Sequence, residues 1–599
     1  MIAWVVIIVA AVGCGHAARP SAPRFDVEPW IEDYLQLREA LSAGYANLEW
    51  AIERREIDPF ALNERTLQAL RRSRDARDAL WALLEFVAVF ADPHLLIDVD
   101  AHPVHGIVPR YPLRLRGDMT RVVVRELDTA RAPGCRLRPG DEITSVAGKP
   151  IAGEVRRFGS LVRFTDQSEV FFSGALHLIL RSSFTPRDGL TVTGLRGTEP
   201  VSCRFTPIAA ETGPSPATAG ALTTVPWTAA AETVCERLGF EKRPAAFAYP
   251  LPAGAEPVTR ASEAFPAAIL TTPGGRRIGF LRIASFEDVW QHDACVAAWN
   301  HLRQRQTRPD CDRDCLETFA DFAVPQAILQ QVAAAVDALK AHGAAALVVD
   351  ILHNGGGNDW AEDVALMLSP REPTCSAMAV IRHPHWSTRF AEDVREYEAA
   401  LGRGDLADDE RSLITRARDQ ARRMLAETRA TCGLRPLWTE PSHRPACSLI
   451  ARSDDHPCGA DERRLSQVLN QQGAPALVWD ERAPAVGLYS GPLFVLVDSY
   501  TASASEQFLG RLKATSRGIV MGQRTLGAGC GYTNGGLDVV LENSGLRVKM
   551  PDCVRYLHDG ENEVAGISPD IPLATRDFES PDFLARVLAA LDEALAHGS

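Results

Sequence analysis

The run Leu493-Phe-Val-Leu-Val497 constrains this chain most: it is apolar at every position and is followed, after a short polar turn, by Glu506, Phe508, Leu509 and Leu512 at helical spacing. The pattern predicts a buried strand that delivers into a helix, and so an α/β arrangement. Ser503 falls at the turn between them. There its hydroxyl meets the free N–H groups and positive dipole of a helix start, which suit a developing oxyanion. A serine in this place is also a common N-cap, so the turn alone leaves two readings open.

A second segment, Ala345-Ala-Leu-Val-Val-Asp-Ile-Leu-His-Asn-Gly-Gly-Gly357, reads as another buried strand running into a glycine-rich loop. Such a loop is able to aim backbone N–H groups at an anion. A third, Leu137-Arg-Pro-Gly-Asp-Glu-Ile-Thr-Ser-Val-Ala-Gly-Lys-Pro-Ile151, resembles the turn and strand of a PDZ domain, a module that takes peptide C-termini by strand addition. Together, and in this order, the segments resemble the C-terminal-processing and tricorn-type serine peptidases. Asp350, Asn354, Gly356 and Gly357 match that family's Asp-x-Arg-x-Asn-x-Gly-Gly, with Leu352 in place of the arginine. Thr501 to Glu506 match its Thr-Ala-Ser-Ala-Ser-Glu, and Glu563, Gly566, Pro569 and Asp570 match its late Glu-Gly-x-Gly-Val-x-Pro-Asp. Ile278 to Phe286 looks like its first core strand.

The resemblance implies a multidomain α/β protein with a crotonase-like serine peptidase core. Ser503 is then the nucleophile, with Gly355 or Gly356 and Ala504 forming the oxyanion hole and Ser505 and Asn354 in support. The base is less direct. Where family members with a Ser-Lys dyad carry Phe-Gly-Lys-Gly, this chain has Leu526-Gly-Ala-Gly529. Its five lysines are Lys149, Lys242, Lys340, Lys513 and Lys549. Lys513 stands roughly 15 Å along the helix from Ser503, and only Lys549 is left as a substitute. The tricorn-type branch uses a histidine instead, and Phe90-Ala-Asp-Pro-His94 resembles its Asp-x-His segment, although Leu95 replaces the usual hydroxyl residue. His94 is therefore the expected base, with Glu563 completing the constellation. The alternative for His94 is a structural histidine at the end of a helix. The alternative for the whole chain is a catalytically inactive peptide-binding scaffold on a peptidase fold.

At 599 residues the chain exceeds a single core. The expected parts are a signal peptide over 1–18, a helical domain over 26–100 and a PDZ-like domain over 103–207. A linker with extended strands follows over 208–275. The peptidase core covers 276–370 and 485–599, interrupted by an inserted subdomain over 371–484. A net charge of −13 without a basic, aromatic stripe argues against nucleic acid as a partner. No metal or organic cofactor is called for, and the expected partners are protein or peptide substrates, taken by their C-termini at the PDZ-like domain. Cys311-x-x-x-Cys315 lacks a second ligand pair, which favours a disulfide or buried thiol over a metal site. Cys447 with Cys458 and Cys530 with Cys553 are the expected short-loop disulfides among the thirteen cysteines.

Met1 to Val12 fits the core of a secretory signal, and Ala11-Val-Gly-Cys14 resembles a bacterial lipobox. The expectation is a bacterial protein exported to the periplasm or cell envelope and held to the membrane through a lipid on Cys14. Mass spectrometry of the mature protein is expected to find acylated Cys14 at its start; a free N-terminus near Arg19 would reject the anchor.

Overall fold

The computed structural model describes residues 25–99, 111–163, 169–207, 224–242, 251–258, 264–370, 376–470, 486–573 and 581–597, a few positions within those ranges aside. Cys14 and the apolar start of the chain lie outside them.

A seven-stranded sheet organises the C-terminal half. Its order is Ile571–Pro572, Ile519–Gly522, Leu493–Val497, Ala346–Asp350, Arg277–Arg282, Ala267–Thr271 and Glu256–Pro257. The first five run parallel and the last two pair antiparallel at the edge. The unbroken apolar run of Leu493–Val497 follows from burial on both faces. Leu493, Val495 and Val497 join a core with Val332, Val364, Phe508 and Leu512. Phe494 and Leu496 pack on the other face with Phe583, Val587 and Leu591 of the C-terminal helix Pro581–Ala596. The stretch expected to be a linker supplies both antiparallel edge strands. It also contributes the helix Ala231–Arg237, joined to the core by the disulfide Cys235–Cys295.

Four helices open the described chain, Glu28–Gly44, Leu48–Arg54, Pro59–Arg71 and Ala76–Ala88, as their spacing predicts. Asp58 and Asp75 cap the third and fourth with their carboxylates. Just past the last helix, Leu96–Asp98 pairs antiparallel with Arg547–Met550, which pairs in turn with Leu537–Val540. That pairing ties the segment around His94 to the C-terminal half. The following region forms a six-stranded sheet in which Leu113–Gly117, Val122–Leu127, Glu142–Val146, Leu190–Arg196 and Glu199–Phe205 are successive neighbours and Lys149–Pro150 pairs off Glu142–Val146. Helices Ile151–Gly159 and Glu169–Arg181 accompany it, and Cys135–Cys203 closes it.

The residues expected as an inserted subdomain are woven into the rest. Met378–Ile381 pairs with Ile450–Ser453 on one side and with Cys553–Arg555, near the C-terminal end of the chain, on the other. Leu434, Leu437 and Trp438 share a core with Tyr34, Leu41 and Phe86 of the opening helices. Cys447 pairs with Cys432 and not with Cys458, because Cys432 directly precedes this docked segment and its Cα lies 5.9 Å away, within disulfide reach. Cys530–Cys553 and Cys311–Cys315 are both disulfides.

Trp438 is fully buried, donates Nε1–H to Ser42 Oγ at 2.6 Å and lies 5.7 Å from the Phe86 ring. Trp438→Ala is expected to cost about 3–5 kcal/mol, the usual range for emptying a buried tryptophan site. Urea unfolding measures it, and a loss under about 1 kcal/mol would show that the docking contributes little.

Candidate active site

Ser503 follows the strand Leu493–Val497 and opens the helix Ala504–Ala514 with φ 56° and ψ −120°. An L-residue held there costs on the order of 1–3 kcal/mol, and such strain persists only where surroundings enforce it. The enforcing bonds are specific. The Asn354 carbonyl accepts from Ala502 N–H at 3.1 Å and from Ser505 Oγ at 3.0 Å. Thr501 Oγ1 donates to the Ile351 carbonyl at 3.2 Å. The Asp498 carboxylate receives the N–H groups of His353, Tyr500 and Thr501. Glu506 closes the cap by accepting the Ser503 N–H at 3.0 Å. A strand-to-helix elbow of this kind presents its hydroxyl outward.

The glycine loop lies directly against that elbow. A Cβ on Gly356, whose φ is +100°, would stand 2.8 Å from Ser503 Cβ and 2.8 Å from Ala504 N. Asn354 is fully buried; its amide donates to the Ile283 carbonyl at 2.9 Å and its Oδ1 accepts the Gly356 N–H at 3.0 Å. Gly356 is therefore not an oxyanion donor, since its hydrogen is already engaged. The N–H groups of Gly355 and Ala504 have no partner among the described residues. Below the loop, Asp350 is paired with Arg282 of the adjacent strand, whose guanidinium also donates to the Leu352 carbonyl at 3.2 Å. A cation from the neighbouring strand thus serves Asp350, while Leu352 is buried against the C-terminal helix side of the sheet.

His94 is attached to this cluster through Ala528, the residue standing where a lysine was expected. Its Nδ1 meets the Ala528 carbonyl at 2.7 Å, which makes Nδ1 the protonated nitrogen and leaves Nε2 as an acceptor. The Ala528 N–H in turn donates to Glu506 at 2.8 Å, the same carboxylate that holds Ser503. Gly531 lets the imidazole approach: a Cβ there would fall 3.0 Å from Cε1 and Nε2. Tyr532 packs edge-on to the ring, 5.0 Å between centroids, and donates its hydroxyl to the His94 carbonyl at 2.5 Å. Burial holds the imidazole below its usual pKa of 6.5, with Asp92 partly opposing, so the ring is neutral at pH 7. Asp92 accepts the His94 N–H at 2.9 Å and is fixed by Tyr45 and Asn47 from the turn between the first two helices.

Glu563 is not placed on the imidazole. It is buried and ion-paired to Arg555 Nε at 2.5 Å, and Arg555 reaches the Gly529 carbonyl at 3.4 Å. It acts on the loop that carries Ala528, because a buried carboxylate is drawn to the nearest cation. The lysines lie elsewhere. Lys549 sits over the Tyr532 ring at 4.1 Å, Lys513 pairs with Asp570 and Lys149 with Glu154. Three groups central to this geometry were not singled out from sequence: Glu506, Tyr532 and Arg282. Glu506 had a signal, since Ser-x-x-Glu at a helix start is a capping pattern; the other two have none in their local sequence.

Residues 277–573 match the model of peptidase family S41. An 87-residue stretch is 33% identical to the tail-specific protease of Haemophilus influenzae, covering 14% of this chain and only 12% of that protein. Among solved structures, mature CPAF is similar over 94% of this chain and 95% of its own, at 15% identity and a TM-score of 0.59. CPAF complexed with lactacystin is similar over 95% and 98%, at 16% identity and the same TM-score. At such identities the likeness concerns the fold.

Gly356→Ala is expected to lower the reaction of Ser503 with a fluorophosphonate roughly a hundredfold, the effect of displacing reacting groups by about 1 Å. Circular dichroism is expected to show the fold retained; an unchanged labelling rate would separate the glycine loop from the site.

Proposed function

Because the chain belongs to peptidase family S41, we propose that it is a serine endopeptidase in which Ser503 is the nucleophile and His94 the base. The observation that carries this reading is the His94 Nδ1 contact with the Ala528 carbonyl, which fixes the tautomer and leaves Nε2 to accept a proton. In the proposed reaction Ser503 Oγ bonds to the scissile carbonyl carbon as its proton passes to His94 Nε2. The N–H groups of Gly355 and Ala504 hold the carbonyl oxygen while it carries negative charge. His94 then returns the proton to the leaving amine, and the C–N bond breaks to give an acyl-enzyme. Water, deprotonated by the same imidazole, releases the acid and restores Ser503. Asn354 and Ser505 hold the two loops together, and Glu563 supports the Ala528 loop through Arg555.

The proposed substrates are exported proteins or peptides, engaged by their C-termini at the sheet domain over 111–207. Five disulfides among the described residues favour an oxidising compartment, in keeping with export to the periplasm or cell envelope. The membrane attachment proposed is the lipid on Cys14, and no cofactor takes part.

Wild-type protein is expected to label at Ser503 with a fluorophosphonate and to hydrolyse unfolded protein. His94→Ala is expected to reduce both by roughly a hundredfold or more, as for loss of a general base. Lys549→Ala is expected to keep most activity, its ammonium being on Tyr532. Loss of labelling in Lys549→Ala alone would overturn the histidine mechanism; wild type that never labels, with or without a peptide at the sheet domain, would make the protein a scaffold.

A further inference from the structure

We propose that Glu506 is a positioning residue whose ionised carboxylate locks the nucleophile elbow and the base-orienting loop into one geometry. The inference rests on the peptidase reading above and adds a control point to it. Glu506 is fully buried at the third position of the helix behind Ser503. One oxygen accepts the N–H of Ser503 at 3.0 Å and that of Ala528 at 2.8 Å. The other accepts the N–H of Gly527 at 2.7 Å and the hydroxyl of Thr525 at 2.5 Å. Four donors fill the four lone-pair sites of a carboxylate. Two of them fix Ser503 and the residue whose carbonyl orients His94, so both halves of the reacting pair hang on one side chain.

Protonation undoes this arrangement. A proton on the oxygen that faces Ser503 and Ala528 meets only backbone N–H groups, which have no means of accepting it, and one of those two bonds is lost. On the other oxygen the Thr525 hydroxyl, which also accepts the Ile567 N–H, has to turn from donor to acceptor, and the four-donor arrangement is lost there as well. The charges facing Glu506 favour that event. Glu563 faces Glu506 from the 3-10 turn Glu563–Ala565 and disfavours a second negative charge, and Arg555 of Cys553–Arg555 is spent on Glu563. On its own helix Arg511 is spent on Glu362. From the loop over 525–531 come Thr525 and two backbone N–H groups and no cation, with His94 beyond Ala528. Burial, then Glu563, push the Glu506 carboxyl up to about 7, while the Thr525 hydroxyl and loop N–H groups pull it down. Activity thus falls as pH drops through this range, above the point at which His94 itself protonates.

The test is the rate at which a fluorophosphonate phosphonylates Ser503 in the full chain, against pH. Wild type is expected to lose reactivity on an acid limb centred near 7. Glu506→Gln is expected to react roughly ten- to a hundredfold more slowly at pH 8, with its remaining acid limb moved below 6.5, on the side to which burial shifts His94. Thr525→Val removes a donor that favours the carboxylate and is expected to move the limb the opposite way, to higher pH; it carries the test if Glu506→Gln does not fold. Wild-type rate and an unmoved limb in Glu506→Gln, or an unmoved limb in Thr525→Val, would overturn the role of Glu506 and leave the peptidase reading standing. A wild type that never reacts would overturn that reading, and this proposal with it.

Discussion

Parallel pairing between Ala346–Asp350 and Leu493–Val497, in the register Leu347 to Leu493 through Asp350 to Leu496, is the constraint on which the site depends. Parallel neighbours end at the same edge, so the loops that leave them emerge side by side. One is the glycine loop and the other the Ser503 elbow. The shared edge brings Asn354 against Ala502 and Ser505, and the missing side chain of Gly356 allows the two backbones to touch. A slip of one residue would turn Phe494 and Leu496 to the wrong core and separate the loops, so burial on both faces protects the site geometry.

Around that edge lie charges that do not stabilise the fold cheaply. Arg282 with Asp350, Arg555 with Glu563, and Asp498 beneath the elbow are all withdrawn from water. A buried pair commonly gives no more stability than apolar residues of equal volume, whereas breaking one is costly. Their directionality is what the site uses. Arg282 fixes the start of the glycine loop through the Leu352 carbonyl, and Arg555 reaches the loop that presents Ala528. The strain at Ser503 is maintained by the bonds that Asn354, Thr501 and Asp498 make to the elbow.

His94 comes from a different part of the chain and needs separate anchorage. Pairing of Leu96–Asp98 with Arg547–Met550 sets its distance from the catalytic half, and Asp92, Ala528 and Tyr532 set its orientation. The opening helices are held in place by Trp438 and its neighbours, which belong to the segment between the two halves of the core. The segments that carry His94 and Ser503 and the segment between them are therefore held together.

Much of this was legible in the sequence. The apolar run at 493–497, the helical spacing after it and the strand before the triple glycine predict three elements that the structure contains, because local periodicity reports burial directly. The motif around Ser503 and the Asp-Pro-His segment pointed to residues that the structure ties together through Ala528 and Glu506. Three matters were decided only by tertiary structure. Glu563 found Arg555 in place of the imidazole, the Gly356 N–H was taken by Asn354, and Cys447 chose Cys432. Each depends on which of several chemically suitable partners lies within about 3 Å, or within disulfide reach, once distant segments are packed. Sequence determined the elements and the kinds of group at the site; only the assembled fold decided which donor met which acceptor, because hydrogen bonds and ion pairs are settled by distances that no local pattern encodes.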